Sequence, residues 1–200
     1  MSRTRLLTGS MLMWPAWVAM NTIGVLSAYL LALLLLPAGE LLNLQVSDQT
    51  LGIAMFLLIG LSLGLAQWLL VRTHLPHPAL WIPATFAGWI SPIALLLLFL
   101  PPSISDQRAQ IGVLLPSIGL LMGTAQYFLL RPHKPHSEWW ILASVLGWLA
   151  LALSLPVPIT NQVEILKVGA IPALITGIPF ALLVSARTPS GSEARRLHAA

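Results

Sequence analysis

The sequence predicts an all-α polytopic membrane protein: six transmembrane helices built as three tandem helical hairpins with pseudo-threefold symmetry. Three observations carry that prediction. Six apolar stretches, approximately 12–36, 51–71, 79–100, 111–130, 139–157 and 168–186, contain no Asp, Glu, Lys or Arg. The basic residues gather on one side of a serpentine drawn through those stretches. The stretch 60–89 recurs, without a gap, at 119–148.

A hydrocarbon core of about 30 Å needs about 20 apolar residues in a helix, and each stretch meets or approaches that length. With 57% hydrophobic and 8% charged residues, water cannot be the solvent for most of the chain. The spans and their short loops leave no room for a soluble domain, so 1–200 is expected to be one transmembrane domain. Its hairpins fall at approximately 12–72, 78–131 and 137–187, followed by a short cytoplasmic tail at 188–200. Backbone amides in lipid must pair within their own segment, so only helices or a closed barrel can cross. Runs such as Leu30–Leu36 and Ala94–Leu100 lack the alternation of a barrel strand, which selects helices.

The first span follows Arg3 and Arg5, as in a secretory signal. Its apolar run exceeds the roughly 7–15 residues of a signal core, so it reads as an uncleaved helix. The absence of cysteine excludes disulfides, thiolate metal sites and cysteine nucleophiles.

The net charge of +4 suggests nucleic acid until the charges are placed. Arg3, Arg5, Arg72, Arg131, Lys134, Arg187, Arg195 and Arg196 share one side of the serpentine, and Arg108 and Lys167 the other. That asymmetry is the positive-inside pattern. Both termini and the loops 72–78 and 131–138 are expected in the cytoplasm, with Arg72 and Arg131 at the interface. The charge pattern implies contact with anionic lipid headgroups and no nucleic acid; a membrane-protein partner is the expectation that goes with a scaffold or accessory subunit.

At an offset of 59, Gly60, Gly64, Ala66, Gln67, Arg72, His74, Pro76, His77, Trp81, Ile82, Ala84, Gly88 and Trp89 recur as Gly119, Gly123, Ala125, Gln126, Arg131, His133, Pro135, His136, Trp140, Ile141, Ala143, Gly147 and Trp148. A weaker third copy is split between the ends. Trp17 and Gly24 keep the Trp–Gly spacing, and Ala173, Gly177 and Phe180 echo Gly60, Gly64 and Gln67. Ser47-Asp48-Gln49, Ser105-Asp106-Gln107 and Thr160-Asn161-Gln162 precede the even helices. Parallel repeats of this kind are related by an axis along the membrane normal.

Gly60, Gly64 and Gln67 lie on one helical face, as do Gly119, Gly123 and Gln126. Small residues four apart let helix backbones approach when lipid removes the hydrophobic drive. Gly60, Gly64, Gly88, Gly119, Gly123, Gly147 and Gly177 are therefore expected at helix–helix contacts, within or between hairpins. The tripeptides supply side-chain oxygens to free amides at helix starts, and Asn161 with Glu164 resembles a capping box. An outer-face ligand site at Asp48, Asp106 and Asn161 is the alternative.

Gln67 and Gln126 form the candidate intramembrane polar site. An amide in lipid must find a partner, so they read as interhelical hydrogen bonds, a polar constriction or ligands to a pigment metal. Phe180 in the third copy argues against a symmetric filter. The loops carry His74-Leu-Pro-His77 and His133-Lys-Pro-His136, four histidines on one side without Cys or Asp, so no metal site is expected. Trp68, Trp81, Trp139, Trp140 and Tyr127 read as an interfacial belt. Pro83, Pro92, Pro116, Pro172 and Pro179 fall within spans and are expected to kink them.

Trp140-Ile-Leu-Ala-Ser-Val-Leu-Gly-Trp148 and Gly119-Leu-Leu-Met-Gly-Thr-Ala-Gln-Tyr-Phe-Leu-Leu-Arg131 resemble stretches repeated in a widespread group of uncharacterised bacterial membrane proteins. The resemblance covers about 14–187 and implies a bacterial cytoplasmic (inner) membrane location. It brings no activity. Three two-helix repeats are also a feature of mitochondrial carriers, but the Pro-x-acidic-x-x-basic signature of those proteins is absent.

The spans hold no charge to mark an ion path and no nucleophile–base pair; Ser62, Ser91, Ser117 and Ser144 have no base beside them in sequence. No enzymatic activity, catalytic residue or cofactor is expected. The leading expectation is a scaffold or accessory subunit acting through helix packing. The alternatives are a transporter or channel for a neutral or lipidic solute, and a pigment- or cofactor-binding subunit.

Overall fold

The computed structural model describes residues 3–41, 47–99, 106–156 and 163–185, with side chains over 12–34, 47, 50–94, 106–156 and 163–184. The described residues form six helices: α1 (Arg3–Leu41), α2 (Asp48–Val71), α3 (Trp81–Phe99), α4 (Gln107–Leu130), α5 (Trp139–Ser154) and α6 (Val163–Ser185). They contain no strand, and one 3-10 turn, Pro78–Leu80, leads into α3. Four segments are long and apolar enough to cross a membrane: Leu12–Leu34, Thr50–Val71, Gln107–Leu130 and Val163–Val184. The protein is thus an all-helical chain of membrane-embedded character.

The remaining helices are shorter. α3 has 19 residues and α5 has 16, or about 28 and 24 Å of rise. α5 ends before the expected 157 because Leu155 turns extended (φ −76°, ψ 130°), as the residue before a proline is pushed to do. α1 is longer than expected and begins at Arg3.

Two of the expected caps form, with different members of the tripeptide. The Ser47 hydroxyl accepts from the Thr50 amide at 3.2 Å, and the Asp106 carboxylate accepts from the Arg108 amide at 2.9 Å. Each satisfies a donor that the helix start leaves free. Thr160-Asn161-Gln162, the side chain of Asp48 and the tail 188–200 lie outside the described residues. Arg72 and Arg131 close α2 and α4, donating their backbone N–H groups to Trp68 and Tyr127. Pro92, Pro116, Pro172 and Pro179 lie inside helices. Pro83 lies in the first turn of α3, where its missing N–H removes no helical bond.

Each helix packs against its neighbours in the chain, and α6 packs against α1. The six helices therefore close a ring. Glycines set the spacing at every seam. A β-carbon at Gly64 would stand 3.2 Å from the Ile82 carbonyl oxygen of α3, and one at Gly119 would stand 2.6 Å from the Ser144 carbonyl oxygen of α5. One at Gly177 would stand 2.6 Å from the Trp14 ring of α1. The even-helix glycines thus serve contacts between hairpins. Gly24, Gly88 and Gly147 face Ala66, Met122 and Pro172 within their hairpins.

The distribution of polarity is inverted relative to a water-soluble protein. Leu57, Leu61, Leu65 and Leu69 run down α2 in an exposed row, as do Leu142, Leu146, Leu149 and Leu153 on α5. Asn21, Gln67, Thr85, Gln126, Ser144 and Thr176 are buried. Polar groups inside and leucine outside is what a lipid solvent selects.

Candidate functional site

The centre of the ring is built on three tryptophans, one each from α1, α3 and α5. Trp17, Trp81 and Trp140 are at most 1% exposed. Their rings meet edge to face: Trp17–Trp81 at 6.4 Å, Trp17–Trp140 at 5.4 Å and Trp81–Trp140 at 6.0 Å. Each such contact contributes about 0.5–1.5 kcal/mol beyond area burial. Phe180 stacks on Trp17 at 4.2 Å. The belt expected at this boundary is corrected for Trp81 and Trp140, which lie in the core; Trp139 is exposed. The reason is the indole N–H, which finds a partner inside.

That partner is the candidate site itself. Trp81 Nε1 donates to Gln67 Oε1 at 2.9 Å, and Trp140 Nε1 donates to Gln126 Oε1 at 2.9 Å. Gln126 Nε2 donates to Gln67 Oε1 at 3.0 Å and to Thr85 Oγ1 at 2.8 Å. Thr85 Oγ1 in turn donates to Gln67 Oε1 at 3.2 Å. Gln67 Nε2 donates to Asn21 Oδ1 at 2.7 Å. The two glutamines thus meet each other and join α1, α2, α3, α4 and α5. The third indole finds no amide, because Phe180 stands at the corresponding place. Trp17 Nε1 donates instead to Thr176 Oγ1 at 2.9 Å, which itself donates to the Pro172 carbonyl.

Sequence reading found Gln67, Gln126 and the glycine stripes but missed Asn21, Thr85 and Thr176, and set Ser144 aside as a scattered serine. A signal was present. Each central tryptophan is followed four residues on by a small polar residue and seven on by glycine: Trp17-Asn21-Gly24, Trp81-Thr85-Gly88, Trp140-Ser144-Gly147. That spacing places all three on one face.

The network is built to hold helices together. Gln67 Oε1 accepts three hydrogen bonds, so it has no lone pair directed at an outside ligand. The cavity beside it, lined by Asn21, Gln67, Gln126, Ser144, Trp148 and Pro172 among others, has a volume of about 10 Å³. That is the room of about one water, far too little for a pigment or a translocated solute. A larger apolar groove of about 280 Å³ lies on the outer face between α5 and α6, beside Leu142, Leu146, Ile178 and Leu182.

The loop histidines stand apart from this centre. His74 Nδ1 lies 2.9 Å from the Leu70 carbonyl oxygen, and His136 Nδ1 lies 3.5 Å from exposed Glu138. His136 takes the left-handed backbone conformation (φ 58°). Among the described residues, no group of three or more His, Asp or Glu could hold a metal ion. Buried Glu164 pairs with Lys167 at 2.7 Å, one turn along α6.

No protein-family model, curated protein or solved structure matches this chain.

Proposed function

We propose that this chain is a six-span protein of a bacterial cytoplasmic membrane, acting as a non-catalytic scaffold or accessory subunit through helix packing. Its three hairpins are copies of one unit around a pseudo-threefold axis, and both termini face the cytoplasm. The observation that carries this reading is the filled centre: three interlocked tryptophans and two amides engaged with protein partners stand where a conduit or a ligand pocket would have to be. A transporter for a neutral or lipidic solute would need that centre to open, which would break several buried hydrogen bonds at once. The positive-inside pattern supports the orientation. The placement of Trp17, Trp81 and Trp140 supports the threefold arrangement, and the ring closure of α6 on α1 makes it geometrically consistent.

The test is gentle purification from native membranes followed by mass spectrometry of what co-elutes, beside a flux assay in liposomes. A stoichiometric membrane-protein partner with no flux across a broad panel of neutral solutes is the expected result. Selective flux by the purified chain alone would overturn the reading.

A further inference from the structure

Among the described residues three buried donors lack a hydrogen-bond partner, Trp68 Nε1, Ser144 Oγ and Trp148 Nε1, and the last two share one cavity. Ser144 Oγ and Trp148 Nε1 are each in residues 1% exposed, and neither has a hydrogen-bond partner among the described residues. They are four residues apart on α5, so they stack one turn above the other on the same face. Both line the central cavity of about 10 Å³. An indole N–H in hydrocarbon surroundings without a partner is costly, and buried polar groups are as a rule paired. The cavity walls add groups with spare capacity. Asn21 Oδ1 accepts from Gln67 Nε2 and retains a lone pair; Asn21 Nδ2 donates to the Trp17 carbonyl at 2.8 Å, so the Asn21 and Gln67 amides each keep a second N–H.

We infer that this cavity is a binding site for a single water molecule, held between Ser144 Oγ and Trp148 Nε1 and completed by the amide side chains of Asn21 and Gln67. The volume admits one water and not two, and its walls offer the two to four polar partners a buried water needs. No charged side chain lines it, which separates it from an ion site.

The residue pattern explains why the water belongs here and not elsewhere in the ring. Asn21, Thr85 and Ser144 each follow a central tryptophan by four residues. Asn21 receives the Nε2 of Gln67, and Thr85 receives the Nε2 of Gln126. Ser144 would receive an amide from position 180, which is Phe180. The lost amide strands the Ser144 hydroxyl, and a water takes its place. The cavity and the two stranded donors stand without the repeat; the repeat accounts for their position.

Nuclear magnetic resonance of the protein labelled with ¹⁵N at its indoles, in lipid nanodiscs, tests this directly. The Trp148 indole proton is expected to show a dipolar cross-peak to a long-lived water, whereas those of Trp81 and Trp140, bonded to Gln67 and Gln126, show none. Ser144→Ala removes one anchor and is expected to weaken the Trp148 cross-peak. Phe180→Gln offers Ser144 the amide its counterparts have and is expected to do the same. An unperturbed Trp81 indole signal reports that each variant is folded; Trp140 does not serve for this, because its ring lies 6.2 Å from that of Phe180. Absence of the cross-peak in the folded wild-type protein overturns the site, and so does a cross-peak of undiminished intensity in a folded Ser144→Ala protein.

Discussion

At the level of single residues, the centre is held by groups whose loss strands others. Gln126 accepts from Trp140 and donates to Gln67 and Thr85. In Gln126→Leu the Trp140 indole loses its acceptor in a fully buried place. Hydrogen bonds between membrane helices average only about 0.6 kcal/mol, but a stranded buried donor costs about 1–3 kcal/mol. The second effect dominates here, because Trp140 is too enclosed to turn to another acceptor. Gln126→Leu is therefore expected to lower stability by about 1–3 kcal/mol, read by reversible unfolding in mixed micelles; a loss within error would show the network to be incidental. The glycines allow an internally controlled comparison. A β-carbon at Gly88 would fall on the Met122 backbone, whereas one at Gly112 meets nothing within 4 Å. Gly88→Ala is expected to cost about 1–3 kcal/mol through forced helix separation. Gly112→Ala is expected to be neutral or to gain up to about 1 kcal/mol from helix propensity. Equal effects at the two positions would mean that close approach of α3 and α4 is not what Gly88 provides.

At the level of helices, the loops and ends carry the evidence for orientation. The chain has two lysines, Lys134 and Lys167. Lys134 lies between α4 and α5, and burial lowers its pKa from the usual 10.5 by disfavouring the charged form. More of its amine is therefore neutral at a given alkaline pH than in an ordinary lysine. Because the folded chain then binds fewer protons than the unfolded one, stability rises with pH between the lowered value and 10.5. Lys167 lies near the start of α6, with its ammonium 2.7 Å from Glu164. A membrane-impermeant amine reagent at mildly alkaline pH is expected to label Lys134 in inside-out vesicles and to spare it in right-side-out vesicles. Labelling of Lys134 from the outside would reverse the proposed orientation. The helices themselves were legible in the sequence because uncharged length is a direct consequence of the solvent. The caps at Ser47 and Asp106 were legible because free amides at a helix start demand an oxygen. The central role of Trp81 and Trp140 was not. A tryptophan close to a loop fits an interfacial belt and a core equally well, and only the acceptor across the seam decides. The shorter α5 could have been read from Pro156, whose effect on Leu155 is local.

At the level of the whole molecule, the ring has a closure that no local pattern announces. Its last seam joins residues about as far apart in sequence as the ring allows: Trp14 Nε1 donates to the Leu174 carbonyl, Trp17 to Thr176, and Gly169 and Gly177 lie against α1. The first hairpin is therefore clasped from both sides, by α3 through Gly60 and Gly64 and by α6 through Gly169 and Gly177. Both grips are interactions between whole helices and do not depend on the peptide chain crossing from α2 to α3. In the proposed topology each hairpin enters and leaves the bilayer by one face, so a cut in the 73–78 loop would leave two fragments that can each insert unaided. Co-expressed fragments 1–76 and 77–200 are accordingly expected to assemble in the membrane and to co-purify through a tag on either one. Gly177→Leu, which places a branched side chain against Trp14 and Trp17, is expected to weaken that association while leaving insertion of both fragments intact. Fragments that insert but never associate would show that the clasp between α1 and α6 does not hold in lipid. The reading of the protein as a closed, self-packed ring would then have to be abandoned in favour of an open row of hairpins.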